Sequence, residues 1–148
     1  MVVGSRRTFT GLALAVVAVM VAAACGGGGG GNEVRVTEKD FSITLNKSSM
    51  KTGEITFSVK NDGPSVHEFV IFDTDLAADQ LPTTQDENGV EIVDEEGEGV
   101  SAVDEIEDIA VGSTQELKVT LEPGTYVMIC NLPAHYQQGM RTSFTVTS

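Results

Sequence analysis

The sequence contains few histidines, cysteines and basic residues: two His, two Cys and nine Lys plus Arg among 148 residues. Two histidines are too few for a catalytic centre in which several metal ions each need imidazole ligands. The nine basic residues stand against 22 acidic ones, and the net charge of −13 excludes nucleic acid as a partner, because its phosphates would be repelled. A Gly-x-Ser-x-Gly nucleophile motif and a phosphate-binding glycine loop are also missing. These absences predict that the protein is not an enzyme.

Long apolar runs are scarce as well, and the one present lies near the N-terminus. Residues 12–21 are apolar, follow the Arg6-Arg7 pair and precede small residues at 22–24. The run is too short for a membrane-spanning helix, and its flanks are typical of an export signal over residues 1–24, which is removed on processing. Arg6-Arg7 with Phe9 resembles a twin-arginine signal, and the general secretory route is the alternative.

Cys25 follows the small residues directly and is followed in turn by six glycines, residues 26–31. This order resembles a bacterial lipoprotein signal, in which the cysteine is lipidated. A glycine linker of that length spans roughly 13 Å. We therefore expect an extracytoplasmic domain anchored to the membrane through Cys25. A disulfide between Cys25 and Cys130 is the alternative; it is disfavoured because Cys25 borders the removed segment, whereas Cys130 lies in an apolar run.

Residues 32–148 have the length of one domain, and their pattern predicts an all-β fold. Apolar and polar residues alternate with the period of two that half-buried strands show. Turn signals such as Asn61-Asp62-Gly63-Pro64 and Pro123-Gly124 separate these runs. Short strands joined by turns are typical of an antiparallel sandwich or barrel. The strands are predicted at residues 34–36, 41–45, 54–60, 66–72, 117–121, 126–130 and 142–146.

An acidic segment, residues 73–109, interrupts this pattern. It holds 14 of the 22 acidic residues, and no Lys or Arg occurs from Asn61 to Leu117. We expect a loop and short-helix insertion, with a helical turn at 76–79, a hairpin at Asn88-Gly89 and a short helix at 104–109. A solvated insertion, a docking surface for a basic partner and a calcium site are the three interpretations. The first is favoured, and the calcium site is disfavoured because residues 94–98 lack the spacing of a known calcium loop.

Cys130, His135 and Met140 follow one another at five-residue steps within a loop between two predicted strands. Alone, each has an ordinary explanation: a buried thiol, a surface histidine or a core methionine. Together, a thiolate, an imidazole and a weak thioether suit copper that cycles between Cu(I) and Cu(II). Such a site needs one more imidazole, and His67 is the other histidine of the chain. The sequence therefore predicts a mononuclear copper site of His67, Cys130, His135 and Met140.

The pattern His67 … Cys130-x4-His135-x4-Met140 resembles the cupredoxin family, and the Cys-Asn-Leu-Pro-Ala-His run is most similar to its sulfocyanin and rusticyanin types. The resemblance covers most of residues 34–146. It implies a Greek-key β-sandwich with one type 1 copper at one end. It also implies that His67, His135 and Cys130 form a trigonal plane and that Met140 is the long axial ligand. A fifth contact from the Val66 carbonyl is left open, and the acidic segment departs from the family pattern.

The same resemblance implies a monomeric carrier of single electrons. Its redox partner, such as a basic cytochrome or oxidase surface, would dock on an apolar patch around His135. That patch is predicted at Leu132, Pro133, Ala134 and Tyr136. A copper storage or delivery protein of the cell envelope is the alternative, although after processing only Met50, Met128 and Met140 remain to supply additional thioethers.

Overall fold

The structure, a computed structural model, describes residues 31–148. The predicted export signal, the predicted lipid attachment at Cys25 and the linker up to residue 30 lie outside the described residues. Within the described part of the chain, no helix is both long enough and apolar enough to cross a membrane.

Strands dominate the described residues, and the predicted all-β class is confirmed. The elements are β1 (Glu33–Lys39), β2 (Ser42–Leu45), β3 (Ser49–Lys51), β4 (Gly53–Asn61), β5 (His67–Asp73), β6 (Thr83–Gln85), β7 (Glu91–Val93), β8 (Ser101–Ile109), β9 (Thr114–Leu121), β10 (Gly124–Ile129), α1 (His135–Gln138) and β11 (Arg141–Thr147). One sheet has the order β2-β1-β4-β9 and the other β3-β11-β10-β5-β8, while β6 and β7 form a separate hairpin. The pairs β1–β4 and β3–β11 are parallel.

The two larger sheets face each other across one apolar core. Phe57 of β4 packs against Phe69 of β5 and Phe144 of β11, with ring centroids 5.7 and 5.5 Å apart. All three rings are completely buried, and such burial stabilises the fold by roughly 1.5–3 kcal/mol for each side chain. Alternate residues of β4 are buried, as its period-two pattern predicts. The architecture is therefore the predicted β-sandwich.

Strands β5 and β10 are buried on both of their faces, which explains why they read as continuous apolar runs. Their inward residues join the core between the sheets, whereas Val70, Phe72, Val127 and Ile129 form a second apolar cluster on the outer face. Residues from the acidic segment and the loop after β10 cover that second cluster. They include Leu81, Val93 and Tyr136, with Leu76, Ala78 and Val100 at its edge. The acidic segment is thus attached to the sandwich by its apolar side chains, and most of its carboxylates are exposed.

The predicted helix at residues 104–109 is wrong, because these residues belong to β8. Strand β8 lies at the edge of its sheet and pairs with β5 in an irregular register. Ile106 and Ile109 lie opposite Phe69 and His67, so three steps along β8 match two along β5. Asp108, with φ 52°, lies within this β-bulge. The bulge places two buried isoleucines three residues apart, which is the spacing of a helix.

The rest of the acidic segment contains a turn and a hairpin. The helical turn predicted at 76–79 is absent as a helix, and the chain there makes a turn closed by the Gln80 N–H donating to the Ala77 carbonyl at 2.9 Å. The hairpin around Asn88-Gly89 is confirmed as β6–β7. Two short elements, β3 and α1, were not predicted from the sequence.

Candidate metal centre

Strand pairing brings the four predicted ligand positions to one end of the sandwich. His67 begins β5, and Cys130 directly follows β10, the antiparallel neighbour of β5. His135 is the first residue of α1, and Met140 immediately precedes β11, which pairs with β10 on its other side. The Cys130 N–H donates to the Met140 carbonyl at 3.1 Å and closes the loop between β10 and β11. The four positions meet because β5, β10 and β11 are neighbours in one sheet.

Three ligand atoms converge at this end of the fold. The Cys130 Sγ lies 3.3 Å from the Nδ1 of His135 and 3.9 Å from the Nδ1 of His67, and all three atoms are within 4.8 Å of one another. Metal–ligand bonds of about 2.0 to 2.3 Å in a plane around one ion would separate their ligand atoms by about 3.5 to 3.8 Å. The two imidazole rings meet edge to face, with centroids 5.2 Å apart. The arrangement fits a single metal ion.

Met140 is completely buried and belongs to the same core cluster as Cys130. Together with a thiolate and two imidazoles, the thioether of Met140 makes up a ligand set that suits copper. The residues present therefore fit copper. Met128, also completely buried in that cluster, lies within β10 rather than in the loop.

Burial sets the ionisation of the ligands in the metal-free protein. Burial, with smaller contributions from the carboxyls of Glu38 and Glu68, raises the pKa of the Cys130 thiol to about 12. The Glu68 N–H donates to the Cys130 Sγ at 3.4 Å, so a polar group already points at the sulfur. Burial lowers the pKa of His67 and of His135, which favours the neutral imidazoles that bind metal. A metal ion would bind the thiolate and release its proton.

The loop that carries three of the ligands is held by its own backbone. Ala134 adopts a left-handed conformation with φ 67°, and the His135 N–H donates to the Leu132 carbonyl at 2.9 Å. Gly139 has φ 121°, and a Cβ there would lie 3.1 Å from the Phe41 carbonyl oxygen, so glycine fits this position best. The Met140 N–H then donates to the His135 carbonyl at 3.1 Å. These contacts turn the chain back toward Cys130.

The acidic segment supports this loop from outside. The Leu81 N–H donates to the Tyr136 hydroxyl oxygen at 3.0 Å, and the Ala134 N–H donates to the Glu91 carbonyl at 3.2 Å. Tyr136 is only 4% exposed. Its predicted place in a surface patch is therefore wrong, because the ring covers the outer face of the sheet instead.

The surface beside the metal centre includes an aromatic residue that the sequence reading missed. Pro133 is exposed, while Leu132, Ala134 and His135 are half-buried. Phe41, 36% exposed, meets the His135 ring edge to face with centroids 5.2 Å apart. No sequence signal linked Phe41 to the loop, since 94 residues separate it from His135.

Asp40 is a second residue that sequence reasoning missed. Its Oδ1 lies 2.9 Å from the His67 Nε2, and its Oδ2 accepts a hydrogen bond from the Ser65 hydroxyl at 2.6 Å. The Ser65 hydrogen bond lowers the pKa of Asp40, and the neighbouring histidines lower it further. The N–H of Nε2 does not point along the line to Oδ1, so this contact is electrostatic and not a linear hydrogen bond.

Glu38 is a buried acid on the inner face of β1. Its side chain is completely buried, and neither carboxyl oxygen has a hydrogen-bond partner within the described residues. Burial raises the pKa of Glu38 to about 8, with a further contribution from Glu68. Glu38 is therefore mostly protonated at neutral pH.

Among residues 31–148, the ligand atoms of three or more His, Cys, Asp or Glu side chains converge only at His67, Cys130 and His135. The described carboxylates of the acidic segment form no such cluster. The structure therefore gives no support to the calcium interpretation of this segment.

The comparisons agree with the fold. The family model of the cupredoxin-like domain matches residues 11–142. No curated protein matches the sequence significantly. The structure is similar to reduced auracyanin from the photosynthetic bacterium Roseiflexus castenholzii, with 22% identity and a TM-score of 0.55 over 81% of this chain and 100% of that chain.

Two further solved structures share the fold. Auracyanin A, described as a "blue" copper protein from the green thermophilic photosynthetic bacterium Chloroflexus aurantiacus, is 18% identical, with a TM-score of 0.54 over 80% of this chain and 100% of that chain. Reduced rusticyanin is 16% identical, with a TM-score of 0.53 over 80% of this chain and 81% of that chain. With a family model that covers most of its length and with His67, Cys130, His135 and Met140 suited to one copper ion, the chain belongs to the cupredoxin-like family.

Proposed function

We propose that the protein is an extracytoplasmic blue-copper carrier of single electrons, tethered to the membrane and without chemistry of its own. The observation that carries this proposal is the convergence of the Cys130 Sγ with the Nδ1 atoms of His67 and His135. Copper bound there would supply a one-electron change between Cu(I) and Cu(II).

The chain contributes a rigid ligand set. Cys130 and Met140 are completely buried, and the hydrogen bond between their backbones closes the loop. His67 is fixed in a strand that is paired on both sides. Ligands held by packed strands rearrange little when the charge of the site changes, so little energy is spent on reorganisation.

His135 is the most accessible of the four ligands. It is half-buried, whereas the other three are completely buried. Phe41, Leu132, Pro133 and Ala134 give its surroundings an apolar surface. We propose that a redox partner docks on this surface and exchanges electrons through the His135 ring. A basic cytochrome or oxidase surface would suit a chain with so many acidic residues.

The proposed location depends on the sequence before residue 31. The basic pair Arg6-Arg7, the apolar run at 12–21 and the small residues before Cys25 support export and lipid attachment. Loss of a signal with two arginines and no acid would take the net charge from −13 to about −15. The glycine linker would leave the domain free to meet partners near the membrane surface.

The test is the visible and electron-paramagnetic-resonance spectrum of the protein during titration with Cu(II). We expect intense blue absorption and a narrow copper hyperfine splitting, both lost in Cys130→Ser and retained in the matched variant Cys25→Ser. A colourless wild-type protein that nevertheless binds Cu(I) tightly would reject electron transfer and favour copper storage or delivery. Blue colour that survives in Cys130→Ser would reject the assigned thiolate.

A further inference from the structure

His67 uses both ring nitrogens. Its Nδ1 faces the Cys130 Sγ at 3.9 Å, and its Nε2 lies 2.9 Å from the Asp40 Oδ1. We propose that Asp40 is a positioning residue for the copper centre: its carboxylate keeps the proton of His67 on Nε2 and stabilises the oxidised form of the site. This inference rests on the proposed function for its redox part, whereas its tautomer part concerns the metal-free protein.

The Asp40 carboxylate is held in place from its other side. The Ser65 hydroxyl donates to Oδ2 at 2.6 Å, and Ser65 lies only two residues before His67. The Asp40 side chain is 18% exposed, and its Oδ1 is buried. The oxygen that faces the imidazole is thus shielded from water, and solvent weakens its interaction with the ring less than at an open surface.

Gly63 covers the contact between Asp40 and His67. A Cβ at residue 63 would lie 2.7 Å from the Asp40 Oδ1 and 2.8 Å from the His67 Nε2, so the backbone approaches both atoms more closely than a side chain would permit. The loop is fixed by Asn61, whose Oδ1 accepts from the Gly63 N–H at 2.9 Å and whose Nδ2 donates to the Ser65 carbonyl at 2.8 Å. Asn61 also donates to the Ile109 carbonyl at 2.8 Å. Residues of the three strands β4, β5 and β8 therefore surround the Asp40–His67 pair.

The charge of the Asp40 carboxylate determines which nitrogen of the His67 ring carries the proton. An ionised carboxylate attracts an N–H group and repels a nitrogen lone pair, so the adjacent Nε2, at 2.9 Å, is favoured as the protonated nitrogen even without a linear hydrogen bond. The Nδ1 then keeps its lone pair, and this is the atom that faces Cys130. Carboxylate–histidine–metal arrangements of this kind orient the ring and make it a stronger ligand. The negative charge also stabilises Cu(II) more than Cu(I), which lowers the reduction potential.

The redox part is tested by voltammetry of the copper-loaded full chain with Asp40→Asn. Asn keeps the size of the side chain and removes its charge. We expect the Cu(I):Cu(II) ratio at a fixed potential to rise about tenfold, a shift of about +59 mV for one electron. The matched control is Asp62→Asn, since Asp62 is exposed, pairs with Lys60 and carries the same charge in the neighbouring loop. Equal potentials for the two variants would overturn the electrostatic role.

The tautomer part is tested in the metal-free protein by nitrogen-15 nuclear magnetic resonance of the histidine rings. We expect the His67 proton on Nε2 in the wild type and a mixture of tautomers in Asp40→Ala, with the His135 ring unchanged. An Nδ1 proton on His67 in the wild type, or an unchanged His67 in the variant, would overturn the proposal. Should Asp40→Ala not fold, Ser65→Ala leaves the carboxylate present but unsupported, and a partial mixture is expected. This readout decides the positioning role even if copper gives no blue centre.

Discussion

The side chain of Asn131 pairs with the backbone of Val93 through both of its polar atoms. Its Oδ1 accepts from the Val93 N–H at 2.7 Å, and its Nδ2 donates to the Val93 carbonyl at 3.1 Å. Asn131 follows Cys130, a predicted copper ligand, and Val93 ends strand β7 of the acidic segment. The metal-binding loop is thus hydrogen-bonded directly to the segment that departs from the family pattern, and the segment has a structural role there.

Replacing Asn131 with Ala should destabilise the protein. The N–H and carbonyl groups of Val93 would lose their partner in a buried place, which costs about 1–3 kcal/mol of unfolding free energy. Urea unfolding of the metal-free protein measures this loss. Asn88→Ala is the control, because Asn88 is exposed in the same hairpin. Equal stabilities of the two variants would show that the segment is not anchored through Asn131.

Glu38 should make the metal-free protein less stable as the pH rises. Its pKa is raised from 4.5 to about 8 in the folded state, so the folded protein holds a proton that the unfolded chain releases. The resulting stability is complete below about pH 4.5 and is lost as pH rises toward 8, by at most about 1.4 kcal/mol per pH unit. Burial raises the pKa of Glu68 to about 7, which adds a slope of the same sign.

The variant Glu38→Gln isolates this contribution, because it cannot ionise. We expect its unfolding free energy to decrease less steeply than that of the wild type between about pH 5 and 8. The comparison uses slopes, since the amide is also buried without an evident partner. Glu54→Gln on the exposed side of β4 is the control and should keep the wild-type slope. Parallel curves for Glu38→Gln and the wild type would contradict a buried, protonated Glu38.

The sequence predicted those parts of the fold where one physical pattern acts alone. Strand β4 has one buried and one exposed face, so its alternation of apolar and polar residues was sufficient. Strand β8 lies at a sheet edge and contains a bulge, so Ile106 and Ile109 showed a helical spacing and were misread. The local pattern of apolar residues does not predict the secondary structure where pairing with a distant strand determines which side chains are buried.

The metal centre also contains residues that the sequence predicts and residues that it does not. Cys130, His135 and Met140 were identifiable because one short loop contains them, and His67 because the chain has no other histidine to complete the set. Asp40 was not identifiable, since its contact with His67 arises only when the turn after β1 meets the start of β5. The family resemblance predicts Tyr136 in an apolar surface patch because it is next to His135, yet its ring packs into the apolar cluster on the outer face of the sheet.

Replacing Met140 with Leu should retain the blue colour and raise the reduction potential. The thioether and the hydrophobicity around the Cys sulfur tune the potential of such a site, and an apolar side chain in place of the thioether favours the less charged Cu(I) form. We expect a shift of about one 59 mV step, measured by voltammetry. Met128→Leu, which changes an equally buried methionine of the same cluster, is the control and should shift the potential little. Similar shifts in both variants would reject Met140 as the axial ligand.

The acidic edge strand β8 provides the last prediction, which concerns the redox partner. Asp104, Glu105 and Glu107 are exposed on this strand, and no Lys or Arg occurs between Asn61 and Leu117 to offset them. If this surface attracts a basic partner, electron transfer to a small basic cytochrome should slow steeply as salt is added. Stopped-flow mixing at several ionic strengths measures the second-order rate constant.

The triple variant Asp104→Asn, Glu105→Gln, Glu107→Gln separates local attraction of the partner by β8 from the effect of net charge. Its rate constant at low salt should fall about tenfold and lose most of its salt dependence, because the local attraction is removed. The control triple, Glu54→Gln, Glu116→Gln, Glu122→Gln, removes the same charge from exposed positions on or just after β4 and β9, in the opposite sheet. If both triples slow the reaction equally, only the net charge matters, and β8 makes no local contribution to attracting the partner. A wild-type rate constant that does not depend on salt would show that the carboxylates of the acidic segment do not attract the partner and only interact with solvent.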